Sequence, residues 1–397
     1  MARTAMVYYL LLTFSIMFLM NSSSASRLSI NVKRLGAKAD GKTDVSKVLL
    51  RAWNSACASR KEVRIYVPQG RYLIRSPIVF NGRRCKRSMF MRIEGTIVAS
   101  RDYNLIGSGE TWIKFERING LFISGGTVDA KGAALWDCKK SGKNCPIGAT
   151  SIGFYSSTNV VVSRLTSINS QMFHMIVYKC KNLVFRGIKI SALGRSPNTD
   201  GIHIQYSSGV SILRSRISTG DDCVSIGPGT NNTWIENVSC GPGHGISIGS
   251  LGWDLQEPGV QNLTVKSVTF RNTDNGVRIK TWARPSKGFV RNVLFQHIFM
   301  NNVANPIIID QNYCPDVKNC PGKVSGVQIS NVRYEDIRGS SATPVAVQFE
   351  CSKKYPCTGI RLKDVALTYK NRAANASCAY ARGTASGVMK PPSCLYR

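Results

Sequence analysis

The stretch KNLVFRGIKISALGRSPNTDGIHIQYSSGVSILRSRISTGDDCVSI, residues 181–226, shows the pattern from which the fold can be predicted. Short alternating apolar runs, such as Leu183-Val184-Phe185 and Val210-Ser211-Ile212, are followed by further strand-like pieces such as Cys223-Val224-Ser225-Ile226. Runs of the same kind recur at Leu121-Phe122-Ile123, Val160-Val161-Val162, Trp234-Ile235, Leu263-Thr264-Val265, Val293-Leu294-Phe295, Val327-Gln328-Ile329 and Ile360-Arg361-Leu362. Between residues 159 and 359 the runs start roughly 23 to 34 residues apart, which is a solenoid period.

Helical periodicity is scarce in this region, and Gly, Asn and Ser interrupt the strands at turns. A chain that coils with this period pairs each strand with its equivalent one coil later, which gives parallel sheets around a continuous apolar interior. A propeller would carry four strands in each longer unit, and a sandwich would carry antiparallel hairpins with tight turns; neither pattern is evident. The sequence therefore predicts an all-β protein, a right-handed parallel β-helix.

The first 25 residues are typical of a secretory signal peptide. Arg3 precedes an apolar run, and Ser23-Ser24-Ala25 offers small residues for cleavage. A single transmembrane helix is the alternative, but the run is short of the roughly 20 residues that a span needs. No later segment is long and apolar enough to span a membrane. We therefore expect a secreted protein that is not held at a membrane once the signal is removed.

Residues 45–60 differ from the repeats because Leu49, Leu50, Trp53 and Cys57 recur at helical spacing. The pattern predicts a short N-terminal helix that caps the otherwise open end of the solenoid. No linker, charge block or low-complexity stretch marks a second domain. We expect residues 26–397 to form a single domain, and a monomer is the default because nothing resembles an assembly motif.

The chain is strongly basic. Its 53 Lys and Arg residues face 22 Asp and Glu residues, a formal net charge of +31, and removing Arg3 with the signal leaves 52 minus 22, or +30. Such an excess usually indicates a polyanionic partner. Nucleic acid is not favoured, because the cations are scattered, no recognised nucleic-acid motif is present and the chain carries an export signal. An acidic polysaccharide fits better, and a basic surface without a specific partner is the alternative.

The 13 cysteines of an exported chain favour disulfides over metal ligation. Close spacings suggest the local bridges Cys138–Cys145, Cys314–Cys320, Cys351–Cys357 and Cys378–Cys394, and Cys57–Cys85 and Cys223–Cys240 would complete six pairs. Cys180 is left over. It follows the apolar residues Met175-Ile176-Val177-Tyr178, which predicts a buried, inert thiol.

Four Asn-x-Ser/Thr sequons begin at Asn231, Asn237, Asn262 and Asn375. In the secretory pathway each is a possible glycan site. Their occupancy cannot be read from the sequence.

Polar clusters recur at about the length of one coil. Asp200 and Asp221 are 21 residues apart, Asp221 and His244 are 23 apart, His244 and Arg278 are 34 apart, and Lys280 and Tyr313 are 33 apart. Equivalent positions on neighbouring coils lie roughly 4.7 to 4.9 Å apart, so we expect these side chains to form a column along one face. Arg278 and Lys280 are two residues apart on a strand and therefore point the same way.

Such a column would suit the hydrolysis of a glycosidic bond. The reaction needs a carboxylic acid to protonate the leaving oxygen and a carboxylate to activate water or to attack, and Asp200, Asp221 and Asp222 supply both. Crowded carboxylates raise one another's pKa, which favours a protonated acid. Each motif alone is more often a simple turn than a catalytic site. Their occurrence together, at the spacing of one coil, favours a catalytic site. Acidic side chains can also bind calcium, but the cations of Arg278 and Lys280 disfavour a metal, and no cofactor is expected.

Four motifs in the order and spacing of one family are present. They are Ser196-Pro197-Asn198-Thr199-Asp200-Gly201-Ile202-His203, Thr219-Gly220-Asp221-Asp222-Cys223, Cys240-Gly241-Pro242-Gly243-His244-Gly245-Ile246-Ser247-Ile248-Gly249-Ser250 and Gly276-Val277-Arg278-Ile279-Lys280-Thr281-Trp282. The whole mature chain resembles plant polygalacturonases, glycoside hydrolases of family 28, with matching residues from Leu35-Gly36-Ala37 onward. This resemblance implies a right-handed parallel β-helix without a metal that hydrolyses α-1,4 bonds of de-esterified pectin in the cell wall.

The resemblance also implies roles for individual residues. Asp221 would be the general acid, supported by His244, and Asp200 and Asp222 would activate water for inversion. The residues that would bind substrate are Arg278, Lys280, Tyr313 and Asn198. Two departures are peripheral: Leu35 stands where an aromatic is common, and Arg195 stands where Asn is frequent and lies near the expected cleft.

Three other functions stay open at this point. A non-catalytic pectin-binding wall protein could keep the fold and groove, although the intact carboxylates count against it. A hydrolase of a related backbone such as rhamnogalacturonan is possible within enzymes, but the Arg278-Ile279-Lys280 pair favours homogalacturonan. A pectin lyase would need a base near the C5 proton and usually calcium. The sequence does not decide between internal and terminal cleavage, and internal cleavage is the working hypothesis.

Overall fold

Parallel strands wound in successive coils dominate the structure. The computed structural model describes residues 28–315 and 320–396, so the predicted signal segment lies outside the described residues. None of the helices in these two ranges is long and apolar enough to cross a membrane. One hydrophobic cluster runs through the interior from Val32 to Ala381.

Three helices and 33 strands make up the described chain. The helices are α1 (Ser46–Ala58), α2 (Asn104–Gly107) and α3 (Ala133–Lys140). The strands are β1 (Leu28–Asn31), β2 (Asp40–Asp44), β3 (Val63–Val67), β4 (Arg71–Leu73), β5 (Ile78–Asn81), β6 (Met89–Ile93), β7 (Thr96–Val98), β8 (Thr111–Glu116), β9 (Asn119–Ser124), β10 (Thr127–Asp129), β11 (Thr150–Tyr155), β12 (Thr158–Ser163), β13 (Thr166–Ile168), β14 (Met175–Tyr178), β15 (Lys181–Arg186), β16 (Lys189–Ser191), β17 (Ile202–Gln205), β18 (Ser208–Leu213), β19 (Arg216–Ser218), β20 (Val224–Ile226), β21 (Asn231–Glu236), β22 (Ser239–Cys240), β23 (Ile246–Leu251), β24 (Val260–Arg271), β25 (Asn275–Trp282), β26 (Phe289–Val303), β27 (Asn305–Tyr313), β28 (Gln328–Ser341), β29 (Val345–Glu350), β30 (Cys357–Tyr369), β31 (Arg372–Ala373), β32 (Asn375–Ala379) and β33 (Ala381–Lys390).

Each middle coil contributes three strands. One strand joins an eleven-stranded sheet that runs from β5 through β8, β11, β14, β17, β20, β23, β25, β27 and β29 to β32. The other two strands, for example β15 and β16, join the second, 22-stranded sheet, where they pair with β18 and β19 of the next coil. Within the described ranges every named strand pair is parallel except β30 with β31. The prediction of a parallel β-helix is confirmed.

Alternating side chains build the interior one coil at a time. In β15 the side chains of Leu183 and Phe185 are fully buried and that of Val184 is partly exposed. Leu183 pairs with Val210 of β18, and Phe185 pairs with Ile212. The apolar runs therefore stack directly on one another, and this stacking removes apolar surface from water along the whole helix axis.

A ladder of asparagine side chains marks one turn. Asn262 donates from Nδ2 to Oδ1 of Asn232 at 3.2 Å, Asn292 donates to Asn262 at 3.1 Å, and Asn331 donates to Asn292 at 2.7 Å. All four have a φ between 51° and 56°, in the left-handed region that asparagine tolerates. The sequon residue Asn262 thus uses its amide nitrogen inside this ladder, and glycosylation at the four sequons stays a prediction.

Helix α1 covers the N-terminal end of the eleven-stranded sheet. Trp53 lies 5.1 Å from Phe80 of β5 and 6.0 Å from Phe115 of β8, measured between ring centroids. Its Nε1 donates to the backbone oxygen of Asn81 at 2.9 Å. Because β5 is the first strand of this sheet, the indole occupies the place that a preceding coil would fill. The predicted capping helix is confirmed with slightly shorter bounds, and Leu50 is only partly buried.

All six predicted disulfides are formed: Cys57–Cys85, Cys138–Cys145, Cys223–Cys240, Cys314–Cys320, Cys351–Cys357 and Cys378–Cys394. Cys180 is free and buried, as predicted. Burial raises the pKa of its thiol to about 11, which keeps it in the unreactive protonated form at neutral pH.

We expect the native protein to react with almost none of an added thiol reagent, because Cys180 is buried and protonated. After unfolding in denaturant without reductant, one thiol per chain should react. The measurement is thiol titration with a chromogenic disulfide, with the Cys180→Ser variant as the control that should show no reactive thiol. More than one thiol in the unfolded wild type would contradict the disulfide assignment.

Candidate active site

The predicted site residues meet on the middle strands of the eleven-stranded sheet. Ile202 pairs with Val224, and Val224 pairs with Ile246. Asp200, Asp222 and His244 each lie two residues before these paired positions, so they occupy equivalent places on three adjacent coils. The 21-residue spacing predicts that Asp221 is the equivalent of Asp200. The backbone register corrects it, because Asp222 is the equivalent residue and Asp221 lies one position earlier in its loop.

Asp222 is the centre of the polar cluster. Its Oδ1 accepts hydrogen bonds from Ser247 Oγ at 2.7 Å and from Arg278 Nη2 at 2.8 Å. Its Oδ2 accepts from Lys280 Nζ at 2.9 Å. The carboxylate is 1% exposed. Two cations from one strand thus hold a single buried anion by charge-assisted hydrogen bonds.

The cations determine the charge state of Asp222. Burial alone would raise the pKa of Asp222, but Lys280 and Arg278 outweigh it and hold the pKa below the ordinary value. Burial correspondingly disfavours the charged Lys280 and Arg278, yet the charge of Asp222 raises the pKa of both. Asp222 is therefore ionised in the free site, and both cations are retained with it.

Asp221 is joined to His244. Nδ1 of His244 lies 3.0 Å from Oδ1 of Asp221, and the Asp222 backbone N–H donates to the same oxygen at 2.7 Å. Nε2 of His244 lies 3.4 Å from an oxygen of Asp274. The hydrogen bond to Asp221 raises the pKa of His244, and partial burial opposes this rise. The imidazolium form thus persists to higher pH than in a free histidine.

Asp200 is in the opposite state to Asp222. Burial raises the pKa of Asp200 well above its ordinary value, and the nearby charges of Asp221 and Asp222 add to the rise. Asp200 therefore carries a proton under conditions in which Asp222 does not. The site holds a neutral and an ionised carboxyl on adjacent coils, which is the division of states that acid–base chemistry needs.

Aromatic side chains lie beside the two cations, at the end of β25 and at the end of β27 on the next coil. Lys280 Nζ lies 5.1 Å from the ring centroid of Tyr313, and the Arg278 guanidinium lies 5.9 Å from it. Tyr313 packs edge-on to Trp282 at 5.3 Å, and Trp282 packs edge-on to Trp253 at 5.0 Å. Flat apolar faces beside fixed cations suit a polar ring that carries a carboxylate.

Asn198 is less closely integrated than the other predicted residues. It is exposed, with a φ of 54°, in the loop that leads to Asp200. In the parts of the chain that the structure describes, no hydrogen bond connects its side chain to the cluster. Its position beside Asp200 still allows contact with a molecule in the groove, and its binding role stays a prediction.

Known proteins resemble this chain over most of its length. The model of the glycosyl hydrolases family 28 matches residues 57–387. The chain belongs to this family. A polygalacturonase of Prunus persica is 58% identical over 396 residues, covering 100% of both chains. An exopolygalacturonase of Arabidopsis thaliana is 42% identical and covers 92% of this chain and 83% of its own.

Solved structures share the fold of this family 28 hydrolase. The endo-xylogalacturonan hydrolase from Aspergillus tubingensis superposes with a TM-score of 0.78 at 23% identity, over 91% of this chain and 99% of that chain. The polygalacturonase from Erwinia carotovora superposes with a TM-score of 0.69 at 24% identity, over 92% of this chain and 100% of that chain. At these identities the likeness establishes the parallel β-helix and no more.

Three residues of the hydrolase site were missed by the sequence reasoning. Ser247 donates to Asp222 and accepts from Nε of Arg278 at 2.9 Å. Ser225 bonds to Nδ1 of His203 at 2.8 Å, and burial lowers the pKa of His203 to about 4, so this imidazole is neutral. These residues and Arg278 form one in-register row along β17, β20, β23 and β25, which is visible only once the register between coils is known.

Within residues 28–315 and 320–396, Asp221, Asp222 and His244 form the one group that could hold a metal ion, with one ligand atom from each within 4.8 Å of the others. Both oxygens of Asp222, however, already accept hydrogen bonds from cations. A divalent ion would have to displace or repel Arg278 and Lys280. The donor set therefore fits a metal poorly.

We expect the His244→Gln variant to lose about tenfold in kcat near the pH optimum, because Asp221 loses a hydrogen-bonded cationic partner. The protonated form of His244 is present at low pH and disappears as the pH rises through its raised pKa. The fall in kcat that accompanies deprotonation of His244 on the alkaline side of the wild-type pH profile should therefore be absent from the variant. His297→Gln, which removes an exposed histidine bonded to Asp336, is the control for a pH–rate measurement. Superimposable profiles for all three proteins would refute the role of His244.

Proposed function

We propose that this family 28 hydrolase cleaves α-1,4 bonds between galacturonate units of de-esterified pectin with inversion at the anomeric carbon. One observation carries the proposal: Arg278 and Lys280 lie in the same cluster as Asp221 and two buried carboxyl groups in different charge states, Asp200 and Asp222. The carboxyl groups match the chemistry of glycoside hydrolysis, and the cations match a substrate that carries a carboxylate on every ring.

Asp221 acts as the general acid in this proposal. Its Oδ1 is occupied by His244 and by the Asp222 backbone N–H. Its Oδ2 receives no hydrogen bond from any residue in the described ranges, so this oxygen is free to carry the proton. During cleavage that proton passes to the glycosidic oxygen as the bond to the anomeric carbon breaks. The cationic form of His244 then stabilises the carboxylate that is left.

Asp200 and Asp222 hold the attacking water. Asp222 is ionised and can accept a proton from water, while protonated Asp200 can hydrogen-bond to the water oxygen. The water oxygen bonds to the anomeric carbon on the face opposite the leaving group, which inverts its configuration. One oxygen of Asp221 lies within 4.8 Å of one of Asp222, which is closer than the roughly 6.5 to 9.5 Å between acid and base in a typical inverting site, so the anomeric configuration of the released product is the test of inversion.

The groove around the cluster suits a polymeric uronate. Arg278 and Lys280 would bind a galacturonate carboxylate beside Tyr313. On the other side of the cluster a cavity of about 450 Å³ is lined by residues that include Tyr155, Tyr178 and Gln205. The net charge of +31 adds a general attraction to a polyanion.

Secretion to the cell wall completes the proposal. The sequence of residues 1–25 supports export, and the relative from Prunus persica is named a polygalacturonase. Six disulfides suit an oxidising compartment. A monomer stays the default expectation.

Product analysis on de-esterified polygalacturonate tests this function. We expect reducing ends to be released, with less release at higher salt and on methyl-esterified pectin, because both changes weaken carboxylate recognition. A ladder of oligomers would establish internal cleavage, and monomer alone would establish terminal cleavage. Activity on rhamnogalacturonan in place of polygalacturonate, ultraviolet-absorbing unsaturated products, or indifference to both salt and esterification would contradict the proposal.

A further inference from the structure

A dense group of cations lies at the N-terminal end of the β-helix, outside the active site. The loop after β5 reads GRRCKRS over residues 82–88. With the loop after α1 and the turn after β8 it brings together seven exposed cationic residues: Arg60, Lys61, Arg83, Arg84, Lys86, Arg87 and Arg117. Overall the basic residues are scattered, and this end of the molecule is an exception.

The two loops are fixed to each other. The Cys57–Cys85 disulfide joins the end of α1 to the middle of the basic loop, and the Lys86 backbone N–H donates to the Cys57 oxygen at 3.0 Å. Nε of Arg87 donates to the Arg60 oxygen at 3.2 Å. The backbone that carries these cations is therefore held in one arrangement before any partner arrives, which lowers the entropy cost of binding.

Three of the arginines line one cavity. Arg83, Arg84 and Arg117 share a concavity of about 560 Å³ with Asn54 and Asn81, and we call it the N-terminal basic cavity. Its volume is within the usual range for small-ligand sites. Guanidinium groups in a concave surface suit carboxylates, because each can donate two parallel hydrogen bonds.

The loops that carry these seven cations contain one acidic residue, Glu62, which follows Lys61 and has an interaction of its own. Glu116 is the acid next to Arg117, but it already accepts from Asn81 and lies 3.4 Å from Lys114. Soluble surfaces usually intersperse both signs of charge, and uncompensated cations repel one another. A bound polyanion would relieve this repulsion.

The N-terminal basic cavity is separate from the catalytic cluster. Asn81 and Glu116 end β5 and β8, whereas Asp200 precedes β17. Four strand spacings separate β5 from β17 in the eleven-stranded sheet, a distance of about 19 Å along the helix axis. One sugar ring cannot contact both places. A ligand of the cavity therefore adds to the binding that the active site provides.

We propose that the N-terminal basic cavity binds a uronate segment of an acidic polysaccharide and anchors the protein on its polymer away from the point of cleavage. The choice of a uronate as the ligand rests on the proposed function, which supplies a carboxylate-rich polymer. The existence of a binding site is inferred from the cations and their cavity alone. The anchored segment raises the local concentration of the rest of the polymer at the active site.

Binding to polygalacturonate in the Asp221→Asn background tests this site, because that background should leave the polymer intact. The variant Arg83→Gln/Arg84→Gln/Arg117→Gln is compared by affinity electrophoresis with Lys353→Gln/Lys363→Gln/Arg372→Gln. The control removes the same net charge from exposed cations near the C-terminal end. We expect the cavity variant to bind about tenfold more weakly and the control to change by about twofold or less, since three specific ion pairs are lost only in the first.

Hydrolysis of trigalacturonate, which is too short to reach both sites, should be unchanged by the cavity substitutions in the otherwise native enzyme. The double variant Arg83→Gln/Arg84→Gln leaves Arg117 and its φ of 54° untouched and should show a smaller loss of the same kind. Equal losses in cavity and control variants would overturn the proposal. Stronger competition by duplex DNA than by polygalacturonate at equal charge would overturn the uronate assignment.

Failure of this proposal can be told apart from failure of the proposed function. Native protein that releases no reducing ends from polygalacturonate would refute the hydrolase activity, while cavity-dependent binding would still stand. Normal hydrolysis with binding that is indifferent to the cavity substitutions would refute the anchoring site alone.

Discussion

The Asp221→Asn variant is expected to lose about 10³-fold in kcat on polygalacturonate, within the usual range for removing a general acid. Asparagine fills the same volume and can still accept the Asp222 backbone N–H, so the loop should keep its conformation. It cannot, however, give a proton to the leaving oxygen. KM should change little, because Arg278 and Lys280 remain in place. Steady-state kinetics and thermal unfolding, measured together, would separate lost chemistry from lost folding.

A matched control exists on the same chain. Asp336 lies 2.7 Å from Nδ1 of His297 on the outside of the β-helix, so Asp336→Asn removes a similar Asp–His contact away from the groove. Its kcat should equal that of the wild type. If Asp221→Asn kept more than about a tenth of wild-type kcat, the assignment of Asp221 as general acid would be wrong.

Replacing Lys280 by methionine should impair both catalysis and stability. The change keeps an unbranched side chain, shorter by one atom, but removes one of the two cations that hold buried Asp222. Breaking a buried pair leaves an undercompensated charge, and we expect a loss of about 2–3 kcal/mol in the free energy of unfolding because Arg278 still pairs with Asp222. kcat/KM should fall by at least about 10²-fold, since substrate and catalytic base both lose a partner.

The pH profile gives this substitution a specific signature. Lys280 lowers the pKa of Asp222, and Asp222 must be ionised to accept a proton from water. Without Lys280 that pKa rises, so the acidic limb of kcat/KM should move to higher pH. Lys363→Met, which removes an exposed cation, is the control for urea unfolding and kinetics. An acidic limb that stays in place would show that Lys280 does not set the charge state of Asp222.

Local features were the ones that sequence could predict. Four of the six disulfides close loops of 6 to 16 residues, and their partners are neighbours in the sequence. Apolar runs such as Leu183-Val184-Phe185 became strands because alternation with a solenoid period has few other solutions. The capping helix could be predicted from its 3.6-residue period, although the helix is slightly shorter at both ends than predicted.

Register between coils could not be predicted in the same way. From Ile202 to Val224 and from Val224 to Ile246 the coil takes 22 residues, but the step from Ile246 to Val277 takes 31. Because loops absorb the difference, residue counting placed Asp221 where the backbone places Asp222. The same uncertainty hid Ser247, whose role is visible only when Asp222 and Arg278 are seen on either side of it.

Because the coils stack on one another, the length of the groove can change without any change in the catalytic cluster. Inserting one whole coil between β8 and β11 would lengthen the groove by about 4.8 Å and leave Asp200, Asp222 and His244 on adjacent coils. The same insertion between β17 and β20 would move Asp200 one coil away from Asp222 and abolish their partnership. The groove can therefore gain length outside this region, but the four coils from β17 to β25 have to stay together, because Arg278 and Lys280 of β25 hold Asp222.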